Sequence, residues 1–162
     1  MNDARPWFLC AQLAAGGRHG LPRQAAGLAM GLNTGAGAAV AVGCGAAVGA
    51  LLRWRLGAWL NPLSATVPLG TLAANVIGGY LVGLVVAWLA HHPELSPAWR
   101  LFLVTGFLGG LTTFSTFSAE VMALLQQGRL AWAGAACLAH LGGSLLATWA
   151  GIASVELGRR AG

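Results

Sequence analysis

Two phenylalanines three residues apart, Phe114 and Phe117, stand inside the twelve-residue stretch G-F-L-G-G-L-T-T-F-S-T-F from Gly106 to Phe117. An aromatic ring carries positive potential at its edge and negative potential on its faces, so two ring edges turned into a narrow path can hold an anion. The same stretch places a glycine pair and four hydroxyl side chains, Thr112, Thr113, Ser115 and Thr116, within a long apolar run. Non-helical backbone and hydroxyls at membrane depth are tolerated only where protein or a water-filled path satisfies them. The pattern therefore predicts a conduction or binding site. Gly109-Gly110 followed by Thr112-Thr113 predicts that the helix breaks there. Asn75 is a second polar residue in an apolar setting, G-T-L-A-A-N-V-I-G-G-Y from Gly70 to Tyr80, and an amide there must be paired or wetted.

The elements that hold these residues are legible from charge alone. The chain has 162 residues, 57% hydrophobic and 8% charged, against about a quarter charged in soluble proteins. No charged residue occurs between Arg23 and Arg53, Arg55 and Glu94, Arg100 and Glu120, or Arg129 and Glu156. Each gap accommodates a span of about 20 apolar residues. Four transmembrane helices are predicted, at Ala36 to Leu52, Leu69 to Ala90, Leu101 to Leu125 and Leu130 to Val155. The chain thus reads as an all-α, multi-pass membrane protein.

Residues 1–35 read as an N-terminal extension, either disordered or the product of a misplaced start, with Met30 just ahead of the first span. Residues 36–157 form the predicted membrane domain and residues 158–162 a C-terminal tail. From Met30 onward, Arg100, Arg159 and Arg160 on one side balance Arg53, Arg55 and Arg129 on the other. Loop arginines set orientation, so an even count predicts insertion both ways and an antiparallel pair of copies. The nine positive charges are all arginines scattered at span ends, with no cluster that could track a phosphate backbone, which excludes nucleic acid as a partner. Cys10, Cys44 and Cys137 are odd in number and read as buried, inert thiols. Gly43, Gly45 and Gly49 in the first span, and Gly70, Gly78, Gly79 and Gly83 in the second, are expected to let helix backbones approach closely. Trp54, Trp59, Trp99 and Trp132 sit near span ends, as interfacial anchors do.

G-A-x-x-R-W at Gly49 to Trp54, the Asn75 motif and the Gly106–Phe117 stretch occur in an order that closely resembles the Fluc/CrcB family of small fluoride channels. The resemblance covers about residues 40 to 157. It implies a dual-topology antiparallel homodimer with two pores, a third helix broken mid-membrane, and a sodium ion at the dimer centre held by backbone carbonyls. By motif position it implies that Phe114 and Phe117 line the fluoride path and that Asn75 orients one ring and donates to the ion. Ser115 and Thr116 become hydroxyl donors along the same track, Gly109 and Thr112 offer the sodium-binding carbonyls, and Arg53 and Glu120 lie near the vestibules. The fourth helix departs from the family pattern. It carries His140, Ser144 and Thr148 at i, i+4 and i+8 and no tyrosine, and this spacing puts the three on one helical face. Ser144 is assigned to the polar track, and His140 is a further candidate in place of a family serine.

The implied function is passive export of cytoplasmic fluoride across the inner (plasma) membrane, without an enzymatic step. Two rival readings are a small dual-topology multidrug or cation exporter and a noncatalytic tetraspan scaffold. The exporter requires an ionisable carboxylate within the membrane. Glu120 is expected at the end of the third span, and the first span has none. The scaffold leaves the polar segment unexplained.

Overall fold

The computed structural model describes residues 35–64 and 66–161; the predicted extension, residues 1–35, lies outside them except for Gly35. No β-strand occurs among the described residues. Helix α1 spans Ala36–Leu60 and α2 spans Leu69–Ala90. Element α3, residues 97–111, begins as the α-turn Pro97–Arg100, continues through Leu101–Leu108 with i→i+5 hydrogen bonding, and ends in Gly109–Leu111. Helix α4 is Phe114–Gln126 and α5 is Leu130–Ala161.

Four helical stretches, Ala36–Leu63, Leu69–Ala90, Pro97–Gln126 and Leu130–Ala161, are long and apolar enough to cross a membrane. At about 1.5 Å per residue, even the 22 residues of α2 reach about 33 Å, enough for a hydrocarbon core of about 30 Å. Large apolar side chains cover the outside, among them Leu138 and Leu145 on α5 and Val48 and Leu51 on α1. Such an exterior is stable in lipid and not in water. Trp54, Trp59, Trp99 and Trp132 are all exposed.

Two helix pairs make the framework. Helix α1 packs chiefly on α3, and α2 packs chiefly on α5. The glycines explain how closely they approach. A methyl group at Gly49 would collide with the Phe107 carbonyl, and one at Gly110 would lie 2.5 Å from the Ala46 carbonyl. On the other pair, a methyl at Gly83 would strike the Thr148 carbonyl. Gly43, expected to share this role, faces open space. Helix α4 packs on α5 instead of α1, through Val121, Leu124, Ala133 and Ala136. The third span therefore changes partner between α3 and α4.

The predicted helix ends need three adjustments. Helix α1 continues eight residues beyond Leu52, to Leu60, because Arg53 and Arg55 end the apolar run without ending the helix. The third span starts at Pro97, whose fixed φ suits a first helical turn. Helix α5 runs to Ala161, so most of the predicted tail is helical. Between α4 and α5, Gly128 takes φ 72°, and the amides of Gly128 and Arg129 donate to the Leu125 and Leu124 carbonyls, both at 2.9 Å. A left-handed residue closing a helix in this way is usually glycine, which has no Cβ to clash. Cys44 is exposed and Cys137 half-buried, both with free thiols, so the expectation of buried thiols does not hold for Cys44.

Candidate functional site

The buried polar residues among those described are Thr71, Asn75, Thr113 and His140. Asn75, Thr113 and His140 meet directly. Thr71 lies one turn before Asn75 on α2 and donates its hydroxyl to Glu120 at 2.5 Å.

Helical hydrogen bonding ends with the Thr112 amide, which donates to the Leu108 carbonyl at 3.0 Å, and the helix restarts at Phe114. Thr112 has φ −81° and ψ 153°, and Thr113 has φ −149° and ψ 111°, both extended. Gly109 keeps the right-handed helical conformation. The interruption thus falls on the Thr112-Thr113 half of the segment where a break was expected, while Gly110 serves the close approach to α1 and Asn75 captures the backbone of Thr113. The Thr113 amide donates to Asn75 Oδ1 at 2.7 Å, and Asn75 Nδ2 donates to the Thr113 carbonyl at 3.1 Å. As the N-cap of α4, Thr113 keeps the carbonyl end of its helical pairing, and the side-chain oxygen of Asn75 replaces the partner that its amide has lost.

This capture frees carbonyls elsewhere. In an unbroken helix the Thr113 amide would donate to Gly109 four residues back, but it goes to Asn75 instead. Likewise the Thr116 amide, which would reach Thr112, donates to Thr113 Oγ1 at 3.2 Å as a helix cap. The carbonyls of Gly109 and Thr112 are thereby released from helical pairing. The Gly110 carbonyl accepts from Arg53 Nε at 3.1 Å. Arg53, expected near a vestibule, is therefore tied to the interruption itself.

The orientation of Asn75 decides the state of His140. A backbone N–H only donates and a carbonyl only accepts, so the two bonds to Thr113 fix which end of the amide is nitrogen. The second Nδ2 hydrogen faces His140 Nδ1 at 3.1 Å. Nδ1 must accept it, so the neutral imidazole carries its proton on Nε2. That Nε2 is buried without a hydrogen-bond partner. A buried polar group left unpaired costs about 1–3 kcal/mol. The imidazole stacks on Phe117, with ring centroids 4.7 Å apart and planes at 29°. Phe117 in turn meets Phe114 edge to face at 5.5 Å and 63°. Phe117 is 6% exposed and Phe114 72%, so the pair extends from the interior to the surface of the chain.

The hydroxyls gather at the start of α4. Thr113 Oγ1 donates to Thr116 Oγ1 at 2.9 Å and lies 3.3 Å from Ser115 Oγ. Thr116 thus keeps its own hydroxyl hydrogen for another acceptor. The N-terminus of α4 adds positive potential at the same place.

Ser144 is not part of this group. It lies one turn further along α5, with its backbone against Gly79, and Thr148 donates to the Gly79 carbonyl at 3.0 Å, which serves the α2–α5 contact. Tyr80 OH lies 3.2 Å from Ser154 Oγ, so a tyrosine reaches α5 from α2. Glu120 lies on α4 six residues before the third span ends at Gln126, and there it lines a cavity of about 150 Å³ with Thr66, Gln127 and Arg129. Sequence reasoning missed Thr71 and Thr113. Thr71 lies four residues before Asn75, a helical spacing that was a usable signal, whereas nothing local distinguished Thr113 from Thr112.

Comparison with known proteins is consistent along most of the chain. The family described as CrcB-like protein, Camphor Resistance (CrcB), matches residues 40–152. A protein of Pseudomonas paraeruginosa named fluoride-specific ion channel FluC is 57% identical over 122 residues, covering 74% of this chain and 96% of its own. Proteins of the same name from Thiobacillus denitrificans and Chromobacterium violaceum are each 60% identical. The first covers 72% of this chain and 94% of its own, and the second 75% and 96%.

Proposed function

Because the chain belongs to the CrcB-like family, as a multi-pass membrane protein, we propose that it is a fluoride-selective passive channel that lowers cytoplasmic fluoride. The observation that carries the reading is the buried group of Asn75, Thr113 and His140 against Phe117, in a chain akin to proteins named as fluoride channels. Fluoride is small and strongly hydrated, so a selective path must replace its water with donors. Neutral donors do this without trapping the ion, since conduction needs binding that is favourable yet escapable. Phe114 and Phe117 contribute ring edges, and Ser115 and Thr116 contribute hydroxyls at the positive end of α4. Ser144 stands one turn beyond His140 as a further step of the track. Arg53, held by the Gly110 carbonyl, lies near a vestibule in this reading. Glu120 lines the vestibular cavity.

The working unit in this reading is an antiparallel, dual-topology homodimer in the inner membrane. The even arginine count supports it, and so does Phe114, whose exposed ring needs a second surface to enclose a path. The interrupted third span then lies at mid-membrane. Sodium fits the dimer centre because the carbonyls of Gly109 and Thr112 are released from helical pairing, and a hard cation prefers neutral oxygen donors where no carboxylate is offered. Bound there, it would supply a fixed positive charge that holds the two copies together. Fluoride enters the cell as neutral HF, ionises in the cytoplasm, and leaves as the anion down its electrochemical gradient.

The test is efflux from liposomes of purified protein under a potassium gradient with valinomycin, read with fluoride and chloride electrodes. Fast fluoride release without chloride release is expected. Silence toward fluoride from a folded protein would overturn the proposal.

A further inference from the structure

We infer that His140, through Nε2–H, is the donor that meets the anion between α2 and α5, and that Asn75 is the positioning residue that keeps the proton on that nitrogen. The inference rests on the channel reading and changes the division of labour that the family resemblance implies, in which the amide itself donates to the ion. Both Asn75 amide hydrogens are already engaged, one by the Thr113 carbonyl and one by His140 Nδ1. The amide cannot rotate to release one, because its oxygen is held by the Thr113 amide at 2.7 Å. The donor left over at this level is His140 Nε2–H, which has no partner although the residue is only 3% exposed.

The surroundings of that hydrogen suit a small anion. His140 stacks on Phe117 with planes at 29°, and an N–H lies in the plane of its ring. The donor therefore points outward from the perimeter of the stack, where the neighbouring phenyl ring also presents positive edge hydrogens. A donor buried from solvent and beside a ring edge favours the most charge-dense acceptor that can reach it. The Asn75 bond gives the geometry its direction. Were the proton on Nδ1, it would oppose the Nδ2–H of Asn75, and Nε2 would face the anion with a lone pair.

Fluoride efflux from liposomes, measured for wild type, His140→Phe and His140→Gln, tests the assignment. His140→Phe keeps a ring against Phe117 without the donor and is expected to lose about tenfold or more, the scale of one hydrogen bond to a charged acceptor. His140→Gln carries an oxygen to accept from Asn75 and a nitrogen to donate, and is expected to recover most of the flux. Nitrogen-15 spectra of the full chain in detergent provide a readout that a packing role would not move. They are expected to show a single ring form protonated on Nε2, a shift of that signal on adding sodium fluoride but not sodium chloride, and a mixture of forms in Asn75→Ala. Wild-type flux in His140→Phe, a ring protonated on Nδ1, or an Nε2 signal indifferent to fluoride would each overturn the inference. A wild-type protein that carries no fluoride would remove the channel reading and this inference together, whereas flux insensitive to His140→Phe would remove this inference alone. If His140→Phe does not fold, the glutamine variant and the spectra decide.

Discussion

Replacing Asn75 by alanine removes three hydrogen bonds at once, of 2.7, 3.1 and 3.1 Å, to the amide of Thr113, its carbonyl and His140 Nδ1. Hydrogen bonds between membrane helices are worth about 0.6 kcal/mol on average and up to about 1.7, so three such bonds come to roughly 2–5 kcal/mol. One of the abandoned groups, the Thr113 amide, is a backbone donor for which lipid offers no substitute partner, which places the loss above the average for three such bonds. Closure of the helix would return about one bond by sending the Thr113 amide back to Gly109. The net expectation is a loss of roughly 2–4 kcal/mol, accompanied by lost fluoride flux. Equilibrium unfolding in mixed micelles measures the first quantity, and hydrogen exchange at the Thr113 amide reports whether its protection depends on the asparagine. A loss below about 0.5 kcal/mol, the scale of an ordinary surface substitution, with Thr113 still protected, would refute the claim that Asn75 holds the interruption open.

Gly49→Ala and Gly83→Ala each put a methyl into an opposing backbone carbonyl and should destabilise by about 1–3 kcal/mol, while Gly43→Ala, which meets nothing, should stay within about 0.5 kcal/mol; the same unfolding assay compares them. Thr113→Val removes the cap that receives the Thr116 amide and should cost about 1 kcal/mol, visible as faster exchange in the first turn of α4. Phe114→Ile and Phe117→Ile should each slow fluoride efflux in liposomes, and only the second, at a buried position, should also lower stability. Replacing sodium with N-methyl-D-glucamine should weaken fluoride flux and the association of copies, as read by size-exclusion chromatography in detergent.

The four spans were legible because uncharged stretches of membrane length are rare in any other class of protein. The end of the first was misplaced because charge ends the apolar signal without ending the helix. Arg53 turns back to the Gly110 carbonyl, and the Arg55 guanidinium lies over Trp59 at 4.7 Å, so both charges are accommodated on a helix that continues past them. The other charge mark held: Glu120, the first charge after an apolar run, lies six residues before its span ends at Gln126 and is received by Thr71 in the first turn of α2.

Composition, charge spacing and the three motifs determined the class of protein, the number of spans, the Phe114–Phe117 pair and the unusual Asn75, all properties carried by residues close together in the chain. Where the helix breaks was decided elsewhere. The sequence marked the segment from Gly109 to Thr113, but a break in lipid is stable only where a lost backbone partner is replaced, and the replacement for the Thr113 amide comes from Asn75, 38 residues earlier. The protonated nitrogen of His140 follows from the same contact across 65 residues, because the partner of one ring nitrogen determines what the other can donate. Such pairings depend on which helix faces turn toward each other, and only the packed tertiary structure brings those faces together.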